Sequence, residues 1–271
     1  MLTHLIITRF NLRYPGSDPV SDEWLAHRLP IFRDFCYASV RGQTAQDFRW
    51  LVLFDTTTPA AYRAQIDSLT DWDNFTPVYI DGFDYAAIFE VIRAHVPAGT
   101  TRLLTTTLDN DDALAAGFIG RLQAAVGDQP FEIINFRNGY RLNRATDKLY
   151  EVAIPTNPFV SVCETVGDGN FLSIIGCLPH STIPQRFTTI REIETEPLWL
   201  QVIHERNAAM TGIVGRKRTS ITELEAFALN YEPAADESEV AIRLERVRGS
   251  AERKLIDRLP ERLKTRLRNR G

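Results

Sequence analysis

Apolar positions in the first half of the chain form short continuous runs, and the stretches between them carry apolar residues at helical spacing. Residues 4–10 (His4-Leu5-Ile6-Ile7-Thr8-Arg9-Phe10), 48–54, 76–80 and 102–108 read as buried strands, each closed by turn-forming residues. Between the first two, Trp24, Leu25, Leu29, Phe32, Phe35, Cys36 and Val40 recur at three- and four-residue intervals, which predicts an amphipathic helix kinked near Pro30. Residues 60–69, 85–96 and 113–126, the last with Leu114, Phe118, Leu122 and Val126, read as further helices. Alternation of this kind predicts an α/β fold: a Rossmann-like, mostly parallel central sheet with helices on both faces and right-handed crossovers.

The second half follows another pattern. Residues 131–136 and 149–154 are predicted strands joined by a polar connection containing Gly139 and Asn143, which suggests a small antiparallel portion. Residues 157–184 are rich in Gly and Pro and read as an irregular region of the kind that forms acceptor pockets or lids; 197–210 fits a helix or an extended segment. In 251–271, Leu255, Leu259, Leu263 and Leu267 recur every fourth residue among eight Lys or Arg and three acids. This basic amphipathic helix can pack its Leu stripe on its own domain, or lie on an anionic membrane surface as a peripheral contact.

Composition narrows the classes. The 271 residues can bury a sizeable core, and 44% hydrophobic with 24% charged residues is ordinary for a globular protein. A net charge of -4 gives no global reason to expect nucleic acid as a partner. Cys36, Cys163 and Cys177 lie far apart in apolar surroundings, which predicts reduced, buried thiols and neither a disulfide framework nor a zinc site. Leu5-Ile6-Ile7 is too short for a signal segment and no stretch reaches bilayer length, so a cytoplasmic location is expected.

The candidate chemistry concentrates at Asp109-Asn110-Asp111-Asp112, placed between a predicted strand and a predicted helix. Side chains alternate along an extended segment, so Asp109 and Asp111 should project together while Asp112 caps the helix. Three carboxylates within four residues repel one another unless a cation or hydrogen-bond donors compensate, which points to a divalent-metal or polyol site. A cap, a helix-dipole partner and a solvated acid would account for the same three residues. Arg9 and Asn11 fall at the carboxyl end of the first strand, the edge where open α/β sheets bind ligands; Arg9 also fits a surface ion pair.

The segment Ala38-Ser39-Val40-Arg41-Gly42-Gln43-Thr44-Ala45-Gln46-Asp47-Phe48-Arg49-Trp50-Leu51-Val52-Leu53-Phe54-Asp55 resembles the helix, Gln-Thr turn and strand-ending Asp of inverting glycosyltransferases of the A-type fold, and Asp109-Asn110-Asp111 stands where those enzymes carry an Asp-x-Asp motif. With Thr8-Arg9-Phe10-Asn11 and Trp199-Leu200-Gln201-Val202-Ile203-His204-Glu205-Arg206-Asn207, the pattern is similar to bacterial rhamnosyltransferases over about residues 4–210. The resemblance implies a catalytic domain over 1–232, with a nucleotide-binding half (1–126) and an acceptor-side half (127–232), followed by a helical extension over 233–271. It implies a nucleotide-diphosphate sugar donor and a glycan or lipid-linked acceptor, as in polysaccharide biosynthesis.

For single residues the resemblance implies Mn²⁺ or Mg²⁺ on Asp109 and Asp111, Asp109 also able to act through water or the ribose, with His204 as a further ligand or a donor to the diphosphate and Asn207 orienting it or the diphosphate. Without the resemblance, His204 fits a buried, hydrogen-bonded histidine. Asp55 would accept from the nucleobase, although a cap before Pro59 suits it equally. Arg9, Asn11, Gln43 and Asn110 would line the donor, and Arg41 or Arg102 would neutralise phosphate. Glu164, Asp168 and His180 are the candidate general bases, Asp168 the preferred one. A non-catalytic binding or assembly protein keeping this fold is the alternative from another class. The first strand is not followed by the Gly-rich turn of a dinucleotide-binding oxidoreductase, and there is no P-loop.

Overall fold

The computed structural model describes residues 1–167, 170–205, 217–233 and 238–257, with side chains described up to 249. The first strands come as expected: β1 (Leu2–Arg9), β2 (Arg49–Asp55), β3 (Phe75–Ile80) and β4 (Arg102–Thr107). The helices between them are α1 (Asp22–Ile31), continued through a π-helical stretch (Phe32–Tyr37) into α2 (Ala38–Arg41), then α3 (Ala60–Asp67) and α4 (Tyr85–Ala94). Pro30 lies inside α1 just before the π-helical stretch, where the lost N–H disturbs the i→i−4 ladder.

The chain then departs from the predicted rhythm. Residues 113–126 are not one helix: Ala113–Leu114 form a two-residue strand, β5, and only Phe118–Ala125 is helical, as α5. Ala113 and Leu114 pair with Leu200 and Trp199, so a tertiary ladder takes the backbone that helical spacing had claimed. After β6 (Phe131–Phe136), the polar connection is itself a strand, β7 (Asn138–Asn143), which makes a hairpin with β8 (Lys148–Ala153). The expected β6–β8 pairing is replaced by this hairpin. The irregular region contains β9 (Ser161–Thr165), α6 (Ser173–Cys177) and α7 (Ile183–Arg186), and β10 (Ile190–Ile193), β11 (Trp199–Ile203), β12 (Lys217–Thr219) and α8 (Glu239–Asp257) follow.

The strands make two sheets, ordered β10-β6-β9-β4-β1-β2-β3 and β12-β8-β7-β11-β5. In the larger sheet all pairings are parallel except those of β9, which runs antiparallel between β4 and β6. Alternate residues feed different cores: Ile6, Trp50, Val52 and Phe54 meet the aromatic residues of α1, the π-helical stretch and the second sheet, while Leu5, Ile7, Leu51 and Leu53 meet Ile88 and Ile92 of α4 and Ile174 and Ile175 of α6. This is the expected α/β architecture, with a mixed, mostly parallel sheet. The order turns back at β1, with β2 on one side and β4 on the other, so the carboxyl ends of β1 and β4 flank a crevice at the topological switch point.

The three cysteines are buried and unbridged. Of the tail, α8 packs on β12, with Glu245 paired to Lys148 and 3.5 Å from the Arg218 guanidinium. Residues 258–271 and the side chains from 250 onward, which carry the predicted basic Leu stripe, lie outside the described residues. Among the described residues no helix is long and apolar enough to cross a membrane.

His4 is buried on β1 beside β4, its Nε2 3.0 Å from Thr106 Oγ1, and burial pulls its pKa down from 6.5 to about 3. The folded chain therefore keeps it neutral where the unfolded chain takes a proton, so stability is lost as pH falls from 6.5 toward 3. In denaturant titrations across that range, wild type should lose stability more steeply than His4→Gln, by up to about 1.4 kcal/mol per pH unit; parallel curves would contradict this.

Candidate active site

Beyond β4, Leu108 N–H still bonds to Ile7 O (3.2 Å), and the chain then turns through Asp109–Asp112, closed by Asp112 N–H on Asp109 O (3.3 Å). The turn leads into the second sheet and not into a helix, so Asp112 is no helix cap: its Oδ1 accepts from Val202 N–H at 3.0 Å. Asn110 ties the turn to β1, donating to Phe10 O (2.7 Å) and accepting from Arg28 Nη1 (3.0 Å). Asp111 Oδ2 meets Arg28 Nη1 in an ion pair and lies 3.0 Å from His204 Nε2 at the end of β11. The Arg28 guanidinium also lies 5.2 Å from the Trp24 ring centroid, a cation–π contact.

These partners divide the three acids. Burial would raise the Asp111 pKa, but hydrogen bonding to His204 and the Arg28 charge outweigh it and hold the carboxyl below its usual range. Burial pushes Asp112 well up, helped by the charges of Asp111 and Asp109. Asp109 is raised by its recessed surroundings and then by Asp111, against Arg9 and Arg28. Its side chain is nevertheless open to solvent on the crevice side, and that water screens the shift, so exposure is the better guide to its charge. Asp109 and Asp111 do not project together as expected: Asp109 opens to the crevice, while Asp111 is buried against Arg28 and His204 because the turn twists away from an extended strand. Among the described residues the side chains whose donor atoms come within 4.8 Å of one another, as a metal requires, are His27, His204 and Glu205, with Asp111 touching that group through His204.

Asp109 faces a cavity of about 370 Å³ at the switch point, shared with Arg9, Tyr14, Phe83 and His180. Tyr14 and Phe83 stack with centroids 5.2 Å apart, and the Arg9 guanidinium lies 5.8 Å from the Phe83 centroid. An aromatic wall, a cation and a carboxylate together suit a ligand with a flat or sugar ring and a phosphate. Burial and then the Arg9 charge lower the His180 pKa, which keeps the ring neutral near pH 7.

Other expected site residues are placed elsewhere. Asp55 is fully buried and both its oxygens accept from within the chain, from Arg13, Thr57 and Gly82; those bonds overcome burial and bring its pKa down to about 2. It organises the loops after β1 and β3 and is not free for a nucleobase. Asn11 is spent on Thr58 Oγ1 and the Asp55 N–H. Gln43 brackets Ser39 O, Ala115 O and Ile119 N–H, joining α2 to α5. Arg41 pairs with Asp71, ahead of β3, and Arg102 begins β4 beside Cys163 and Glu132. Both arginines therefore sit at the amino edge of the sheet, about 20 Å along a six-residue strand and its turn from Asp109, too far for one phosphate.

Among the candidate bases, Glu164 accepts from Leu172 N–H and Ser173 N–H and is used up holding the start of α6. Asp168 and Asn207 lie outside the described residues. Residues that the sequence reading missed are His27 and Arg28. His27 Nε2 is 3.4 Å from His204 Nδ1 and His27 Nδ1 is 3.5 Å from Glu205 Oε1. The signal for Arg28 was present: it interrupts the apolar stripe of Trp24, Leu25, Leu29 and Phe32 with a charge.

A family model described as "Putative rhamnosyl transferase" matches residues 19–216, well over half of the chain. No curated protein matches. Among solved structures, S. aureus TarS 1-349 in complex with UDP-GlcNAc is 9% identical, with a TM-score of 0.46, over 77% of this chain and 62% of that one. The inositol-1-phosphate CTP transferase from T. maritima is 8% identical (TM-score 0.35, 77% and 92% covered), and HddC from Yersinia pseudotuberculosis 9% identical (TM-score 0.34, 72% and 91% covered). The chain thus spans under two thirds of the length of the TarS structure.

Proposed function

The chain belongs to the rhamnosyl transferase family whose model it matches, and from that premise we propose that it moves a sugar, rhamnose being the family's suggestion, from a nucleotide-diphosphate sugar to an acceptor hydroxyl with inversion. The observation that carries the reading is the crevice at the carboxyl ends of β1 and β4, where Asp109, Arg9 and His180 share one cavity beside an acidic turn. Arg9, beside the stacked Tyr14–Phe83 pair, would neutralise phosphate, and the aromatic pair would hold a ring. Asp111 and His204 would hold Mn²⁺ or Mg²⁺, with Asp109 acting on it through water or on the ribose, and the ion when bound would supply positive charge to the departing diphosphate.

His180 takes the place of Asp168 as the described candidate base, because it lines the cavity and is neutral. A base of lowered pKa loses activity only when protonated, so the acid limb of kcat/KM should fall below pH 6.5, and His180→Asn should lower the plateau by about 10²-fold or more. An unchanged rate in that variant would remove His180 from the chemistry.

The test of the whole reading is a thermal-shift panel of nucleotide-diphosphate sugars with and without Mn²⁺. A matching donor at one hundred times its Kd should stabilise the protein by about 2.7 kcal/mol. A flat response across the panel would sink the transferase reading and leave a binding module with this fold.

A further inference from the structure

A second cavity, of about 1190 Å³, opens on the second sheet away from the Asp109 crevice, lined by Asn138, Gly139 and Arg141 of β7, Glu151 of β8, and Lys217 of β12 among others. A Cβ on Gly139 would collide with the buried Trp199 ring, so β7 can pack against that indole only as glycine.

The charges in the wall are unequal. Glu151 is taken by Lys217 in an ion pair. Arg141 is 8% exposed, and among the described residues its one hydrogen bond leaves from Nε, to Gln201 Oε1 at 2.6 Å. Among the described residues Nη1 and Nη2 therefore meet no acceptor. Burial draws the guanidinium down to about 10, so it stays charged at neutral pH, and no carboxylate among the described residues pairs with it by hydrogen bond or close ion pair. A buried cation without a hydrogen-bonded counter-charge, lining a large polar cavity, is a site awaiting an anion.

The cavity is also coupled to the crevice through one strand. β11 carries Gln201, which holds Arg141; Val202, whose N–H holds Asp112; and, one residue past its end, His204, which meets Asp111. We propose that this groove receives the acceptor and that Arg141 binds an anionic group on it, a carboxylate or a phosphate, through its two terminal nitrogens. The inference rests on the transferase reading for the word acceptor, while the anion site stands on Arg141 alone.

The experiment measures binding of three trimers to the full chain by calorimetry: trigalacturonate, tri(glycerol phosphate) and neutral maltotriose. One anionic trimer should bind at least about tenfold more tightly than maltotriose, its identity separating carboxylate from phosphate. Arg141→Gln should erase that preference and Arg141→Lys should keep part of it. Equal binding of charged and neutral trimers by wild type, or an unchanged preference in Arg141→Gln, overturns the proposal. If Arg141→Gln fails to fold, the Arg141 Nε–H NMR signal in wild type decides: a shift on adding the anionic trimer is expected, and a stationary signal overturns the proposal. The nucleotide-sugar panel on the same protein keeps the two readings apart, since anion binding without a nucleotide response would sink only the transferase assignment.

Discussion

Asp109→Asn is expected to fold like wild type and to lose about 10³-fold in kcat/KM, the scale seen when one electrostatic contributor to a transition state is removed. The two halves of this expectation have separate grounds. Asp109 opens to the crevice beside Arg9 and His180, so its charge is available to a ligand or its cation. No described group pairs with its exposed carboxylate by a hydrogen bond or close ion pair, so folding gains little from its charge; a neutral Asn removes repulsion with Asp111 and should leave the melting temperature close to that of wild type. Asp111 behaves oppositely. Its pKa is lowered by His204 and Arg28, so its charge contributes stability above the unfolded value of 3.8 that is lost as pH falls through the folded value. Asp111→Asn should therefore lose both activity and stability, and comparing the two variants separates chemistry from folding. Steady-state kinetics beside a melting curve is sufficient. Near wild-type turnover in Asp109→Asn would remove this carboxylate from the reaction.

How much could be read from the chain alone varied with how locally each element is determined. β1, β2 and β4 are covered on both faces, so burial writes itself into continuous apolar runs such as Leu5-Ile6-Ile7 and Leu51-Val52-Leu53. β9 is equally central, but Ser161 and Glu164 interrupt its run because one bonds to Thr106 across the sheet and the other holds the start of α6. β5 is two residues long and exists only because Trp199 and Leu200 lie beside it. The same division holds in the site. The acidic turn is legible as a cluster, whereas Asn11, Gln43 and Asp55 have the residue types of a binding site and are consumed by internal hydrogen bonds that only the folded chain brings together. His204 meets Asp111 across 93 positions of sequence, a distance no local pattern encodes.

Arg28→Met tests what holds the acidic turn together, and the expected result is a loss of roughly 3–5 kcal/mol, the cost of leaving one member of a buried ion pair without the other. Arg28 and Asp111 are 6% and 8% exposed, so solvent cannot replace the missing charge, and the Asn110 oxygen loses its donor at the same time. In a chain of this size each kcal/mol corresponds to about 2–4 °C, so the melting temperature should fall by roughly 6–20 °C. Asp111→Asn in the same background should recover part of the loss, because the stranded anion is then removed; the double-mutant cycle isolates the pair. Mn²⁺ supplies a second discrimination. A cation held by Asp111 and His204 would restore the charge that Arg28 provided, so Mn²⁺ should raise the melting temperature of Arg28→Met more than that of wild type, and should have no such effect once Asp111 is Asn. A variant that melts within a degree of wild type would show that the turn is held by its backbone and by Val202 and Asn110 alone. Equal Mn²⁺ responses in all three proteins would instead place any cation away from Asp111, and with it the basis for metal-assisted transfer at this turn.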